Sequence, residues 1–292
     1  MKELFVVDCN NHRICVFSLV SLAFIRQIGR GVQGSGPGHL NYAVGACLDF
    51  KNHHIYVADT NNHRVSVFDQ FTGAFIRCIG YHGSGQGELN SPYGMGNLKM
   101  CSSHAIYHIL LTVHKIIQST ILSMYSAVSQ NYPLNASKFS SLLIYSNLPS
   151  VGVCIDSGTG NLFVTDYDNH RVQVFDTVSR EYLRTIGKGQ GSGPGQMNQP
   201  IVPYLDEETG FLYIADYSNN RVQIFDKDTG VYIRQIGGGG IGGSMTGLGA
   251  DSLNGPRGIC IDNRSGLLFI SDREVNDLNL HFFHLKFNHY II

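Results

Sequence analysis

One twelve-residue stretch is written four times in this chain, and that constrains its fold more than any other feature. VVDCNNHRICVF (residues 6–17), VADTNNHRVSVF (57–68), VTDYDNHRVQVF (164–175) and IADYSNNRVQIF (214–225) align without a gap. Their first aspartates are Asp8, Asp59, Asp166 and Asp216, and LLFISD supplies a fifth at Asp272, so the steps are 51, 107, 50 and 56 residues. A fixed period of this length is the mark of stacked supersecondary units.

The flanks repeat as well. Upstream lies an apolar run, GACLD (45–49), GVCID (152–156) or GICID (258–262), replaced by PYLDE (203–207) in one unit. Downstream come AFIRQIG, AFIRCIG, EYLRTIG and VYIRQIG, ending at Gly29, Gly80, Gly187 and Gly237. Each unit therefore holds four short runs of alternating polarity separated by Gly, Asn, Asp and Thr turns, which predicts a four-stranded antiparallel meander. Such a sheet cannot bury both faces alone. Radial stacking of copies solves this with only short edges left open, so the expected fold is all-β, a β-propeller of four-stranded antiparallel blades. The 34 Gly, 16 Phe and 15 Tyr beside 8 Pro and no Trp fit many short strands joined by tight turns.

Within the motif, Asp8, Asp59, Asp166 and Asp216 are expected to end a strand, accept N–H groups of the following turn and pair with Arg13, Arg64, Arg171 and Arg221. The Asn before His or Asn suits a turn position at positive φ. One such set per blade is spread around a ring and cannot converge on a substrate, so these groups read as structural. The same holds for His12, His63 and His170. Cys47, Cys154 and Cys260 share one strand position and read as small buried core residues. The seven cysteines include no C-x-x-C and no zinc-site spacing, so no disulfide framework, metal or cofactor is expected.

The unit D-x-x-N-H-R-[VI]-x-[VI]-F, followed by [FY]-[IL]-R-x-I-G and a G-x-G-x-G-x-[LM]-N-x-P connector, resembles the NHL repeat, with Arg64 and Arg171 standing at its Leu position. The resemblance covers residues 3–94 and 151–272. It implies a propeller, usually of six blades, that serves as the interaction module of larger proteins, among them tripartite-motif and related ubiquitin ligases and post-transcriptional repressors.

Five blades are recognisable, and both ends are incomplete. Residues 1–94 hold blades of which the first lacks its innermost strand; 153–272 hold the rest; 273–292 read as an irregular tail. PRGICID is a candidate innermost strand beside ELFVVD, as in rings closed by the two termini. Residues 95–152 contain no acidic residue and no blade motif, and excising these 58 residues leaves a step of 49, one blade. Two readings fit: an insertion, such as untranslated sequence retained in a gene model, or a degenerate blade. The insertion is preferred because a degenerate blade should keep its alternation and turns. Apolar positions from Ile106 to Val128 recur at helical spacing, compatible with an amphipathic helix, while His108, His114 and Lys115 argue against a membrane span.

The glycine connectors, GKGQGSGPGQMNQP being the densest, look like phosphate loops. A strand rather than a helix follows each, and one recurs between most blades, so they read as links from the outer edge of one blade to the centre of the next. Net charge is −1, and −4 without the three lysines of 95–152, which gives no basic field for DNA. The leading expectation is a non-enzymatic scaffold that binds a protein through loops carrying Tyr81, His82, Tyr93, Tyr167 and Tyr217. By the resemblance, the bound protein would be a ubiquitylation substrate. The alternative is single-stranded RNA, and a third reading is a propeller lyase or hydrolase with a channel metal, for which no residue set stands out. MKELFVVDCNN is not a signal peptide, which points to a cytoplasmic, membrane-free protein.

Overall fold

Strands β1 (Glu3–Asp8), β2 (Arg13–Ser18) and β3 (Phe24–Ile28) form the first antiparallel sheet, in that order. The computed structural model describes residues 3–21, 23–93, 152–238, 253–262, 267–271 and 280–284. The next three sheets have four strands each: β4 (Ala43–Asp49) to β7 (Phe75–Ile79), β10 (Val153–Ile155) to β13 (Tyr182–Ile186), and β14 (Pro200–Asp206) to β17 (Tyr232–Gly237). The last comprises β18 (Gly258–Asp262), β19 (Leu267–Ser271) and β20 (Leu280–His284). Two short strands, β8 (Tyr81–His82) and β9 (Glu88–Leu89), pair in parallel within one connector.

Each full sheet is a meander; the innermost strands β4, β10, β14 and β18 lie side by side in that order, and β1 lies beside β4. The core is therefore layered between blades. Ile55 and Val57 of β5 (His54–Asp59) pack toward the first blade, whereas Tyr56 and Ala58 on the same strand pack toward the third. Cys154 and Phe163 meet Leu205 and Leu212, and Tyr213 meets Ile259 and Leu268, in the next two layers. Because neighbours cover both faces, second strands such as HIYVAD are buried almost throughout, and the polar alternation expected from a one-faced sheet is confined to the outer strands. The outer strand is fixed by a ring contact repeated in four blades: Phe17–Phe24, Phe68–Phe75, Phe175–Tyr182 and Phe225–Tyr232 are edge-to-face at 5.7–6.3 Å.

This is a β-propeller whose ring is not closed among the described residues. Among the described residues the first sheet has three strands, β1 matching the second strand of the full blades. Three expectations are corrected. Gly258–Asp262 does not pair with β1 but with β19, in its own sheet. Residues 273–292 are not irregular throughout, since Leu280–His284 supplies a third strand to that sheet. Cys260 is exposed, unlike Cys47 and Cys154, because its side of β18 faces away from the fourth blade, against which Ile259 and Ile261 pack. The helical reading, Ile106 to Val128, lies outside the described residues.

Candidate functional site

Among the described residues the connectors, and the three-residue 3-10 turns between second and third strands, lie at one end of the blades; the Asp-headed turns after first and third strands lie at the other. The repeat motif builds the connector end. In the fourth blade the Asp216 carboxylate accepts Nε of Arg221 at 2.7 Å, Nδ2 of Asn219 at 2.8 Å and the backbone N–H of Asn198 at 2.7 Å. Arg221 then donates to the carbonyls of Ser192, Gly193 and Gln196, all in the glycine connector entering its own blade. Asp166 with Arg171 and Asp59 with Arg64 repeat this around Asn90 and Asn41.

Two expectations about the motif need correction. The carboxylates make no side-chain cap to their 3-10 turns, because the connector, Asn and Arg donors occupy them. The positive φ falls not on the Asn before but on His12 (54°), His63 (52°), His170 (55°) and Asn220 (53°) themselves. This left-handed residue aims its ring at the next blade: Nδ1 of His12, His63 and His170 accepts the backbone N–H of Tyr42, Ser91 and Gln199 at 3.0–3.1 Å. In the fourth blade Asn220 Oδ1 does the same for Gly255 at 2.7 Å. Asp, Asn and Arg thus hold the connector into their own blade, and His holds the connector into the following one.

On this scaffold three of the five nominated loop residues come together. Tyr93 follows Pro92, which bridges Asp166 of the third blade, and its ring centroid lies 5.1 Å from that of Tyr167, the first residue of that blade's 3-10 turn. Tyr217 holds the matching position in the fourth blade, and the guanidinium of Arg257, entering the fifth, sits 5.4 Å from the centre of its ring. Arg257 Nη2 also reaches the Tyr217 hydroxyl at 3.5 Å. Burial, then the neighbouring phenols of Tyr217 and Tyr93, pushes the Tyr167 hydroxyl above its ordinary pKa, so it stays a neutral donor. The result is a row crossing three blades, half-buried Tyr93, Tyr167 and Tyr217 ending in exposed Arg257, with exposed Asp168 beside it.

Tyr81 and His82 stand apart in β8. Tyr81 is 63% exposed, and His82 lies against the His63 ring at 4.1 Å. Arg257 was missed from the sequence. It is the positional equivalent of Tyr93, each following the proline of an N-x-P connector end, and that register would have found it. Among the described residues no group of three or more His, Cys, Asp or Glu is placed to hold a metal ion, and no helix is long and apolar enough to cross a membrane.

Repeated blades, layered cores and linking connectors define the protein as a β-propeller, and its fold is similar to Kuenenia stuttgartiensis hydrazine synthase. That match has a TM-score of 0.54 at 10% identity over 98% of this chain and 60% of that one. Two of the repeats match the NHL repeat family model, over residues 40–68 and 151–175. Over 70 residues the chain is 37% identical to RING finger protein nhl-1 of Caenorhabditis elegans, a match covering 24% of this chain and 7% of that protein. The chain is a β-propeller that carries NHL repeats in those two stretches.

Proposed function

We propose that the protein is a non-enzymatic scaffold whose connector end binds another protein, with Tyr93, Tyr167, Tyr217 and Arg257 as anchors. The observation that carries this is the row itself. Tyr and Arg dominate binding hot spots because both combine large contact area with a polar tip, Tyr at small entropic cost and Arg through its pre-organised planar fork. Here both types are held across three blades on backbone that the Asp, Arg and His bonds already immobilise. Little ordering remains for association to supply. The RING-containing relative supports a finer version, in which the propeller is the substrate-recognition part of a ubiquitin-ligase-type protein. The likeness to hydrazine synthase extends to the fold alone at this identity.

A second reading has one observation in its favour: stacked tyrosines beside a cation are also what unpaired bases use, and RNA would then be the ligand. The two separate on variants Tyr167→Ala, Tyr217→Ala and Arg257→Ala. Each is expected to melt cooperatively, as half-buried or exposed positions allow, and to weaken a purified protein partner by roughly tenfold or more. Unchanged protein binding in all three would overturn the scaffold proposal. Salt-sensitive binding of single-stranded RNA that the same variants abolish would install the alternative.

A further inference from the structure

The innermost strand of the third blade is assembled from two stretches of chain far apart in sequence. Pro92 bridges Asp166, and Tyr93 follows it; the strand then resumes at Gly152, whose carbonyl accepts the Thr165 N–H at 2.8 Å, and at Val153, opposite Val164. The two ends abut. The Thr165 hydroxyl donates to Tyr93 O at 2.7 Å and stands 3.2 Å from Gly152 O, and a Cβ on Gly152 would lie 2.6 Å from the Tyr93 carbonyl carbon.

The register is more telling than the proximity. In the second blade Ala43 faces Asp59 and Ala46 faces Val57, so three steps on the inner strand oppose two on its partner, a one-residue bulge. In the fourth, Pro200 faces Asp216 and Pro203 faces Ile214, again three against two. In the third, Pro92 faces Asp166 and Val153 faces Val164. If Tyr93 were followed directly by Gly152, the path 92, 93, 152, 153 would be three steps against two, the same bulge. Neighbouring blades agree with this: the second and third share one core layer, Val65 and Leu89 packing with Leu162 and Val164, as consecutive blades do elsewhere in the ring.

We infer that residues 94–151 are interposed within one strand and are not needed by the propeller, whose third blade has its whole inner strand when Tyr93 is joined to Gly152. Because Gly94 and Gly152 are both glycine, the joined sequence SPYGVCID is the same whichever of the two is kept. Removing a long stretch of chain between ends that already meet lowers the closure entropy lost on folding, so the excised protein should lose no stability. Strand register allows only this cut, since one residue more or fewer breaks the three-against-two match and misaligns Pro92 or Val153.

The test is thermal unfolding, followed by far-UV circular dichroism, of four proteins. These are the full chain, a variant lacking 94–151, one lacking 94–152 and one lacking 94–150. The variant lacking 94–151 is expected to unfold cooperatively at the temperature of the full chain or above it, and both off-by-one variants below it. Failure of that variant to fold, melting below the full chain, or off-by-one variants that melt with it would each overturn the inference.

Discussion

His63 shows how one residue type serves the architecture. It is held in the left-handed region, which costs an ordinary side chain about 1–2 kcal/mol, and in return Nδ1 accepts the Ser91 N–H of the next blade's connector. That bond requires the neutral ring. Burial first, and then the His82 imidazole beside it, lowers the His63 pKa below the usual histidine value of about 6.5. The unfolded chain therefore binds more protons than the folded one just below that value, so the contribution of His63 is whole above about pH 6.5 and is lost as pH falls through its folded pKa. His63→Asn should retain the bond, as Asn220 does at the matching position, and flatten the acid-side decline of the melting temperature. His63→Ala should be destabilised by roughly 1–3 kcal/mol at neutral pH, from the lost bond and the strained backbone. Melting curves of both variants between pH 5 and 7.5 check this. An undiminished decline in His63→Asn would remove His63 as its source.

At the scale of elements, the connectors are held by side chains from the blades they enter and leave. Asp216 and Arg221 are fully buried and bond the connector at several points, while Asp8 and Arg13, in a blade with no entering connector among the described residues, are about one-third exposed and bond mainly each other, Asn11 and Gln27. Asp216→Ala leaves a buried guanidinium uncompensated and should cost about 3–5 kcal/mol, whereas Asp8→Ala should cost about 1 kcal/mol or less. Denaturant titration of the two variants reads the difference directly, and equal losses would contradict the connector-holding role. The strands and the blade count were legible because local period and turn residues specify them. The bonding of the motif was legible only in part: the Asp216–Arg221 pair was expected, but the carboxylate looked like a turn acceptor and instead takes Asn219 Nδ2 and the N–H of Asn198, eighteen residues back, which only the assembled blade brings to it. Alternation misled for the same reason, since HIYVAD is covered on both faces by other blades.

At the scale of the whole molecule, the account rests on the difference between the two ends of the blades. Tyr93, Tyr167 and Tyr217 could be nominated from the sequence as loop aromatics, but that they line up while Tyr81 stands apart depends on the stacking of blades. Arg257 joins them from the fifth blade for the same reason. Tyr167 lies on the connector end, and Val178, 80% exposed on the turn between β12 (Arg171–Asp176) and β13, lies on the opposite end of the same blade. Site-specific photo-cross-linking from positions 167 and 178, in the cell extract where the protein acts, compares the ends within one molecule. The scaffold account predicts discrete protein adducts from position 167 and none of the same set from 178. The same adducts from both positions, or adducts at 167 that are nucleic acid alone, would contradict it.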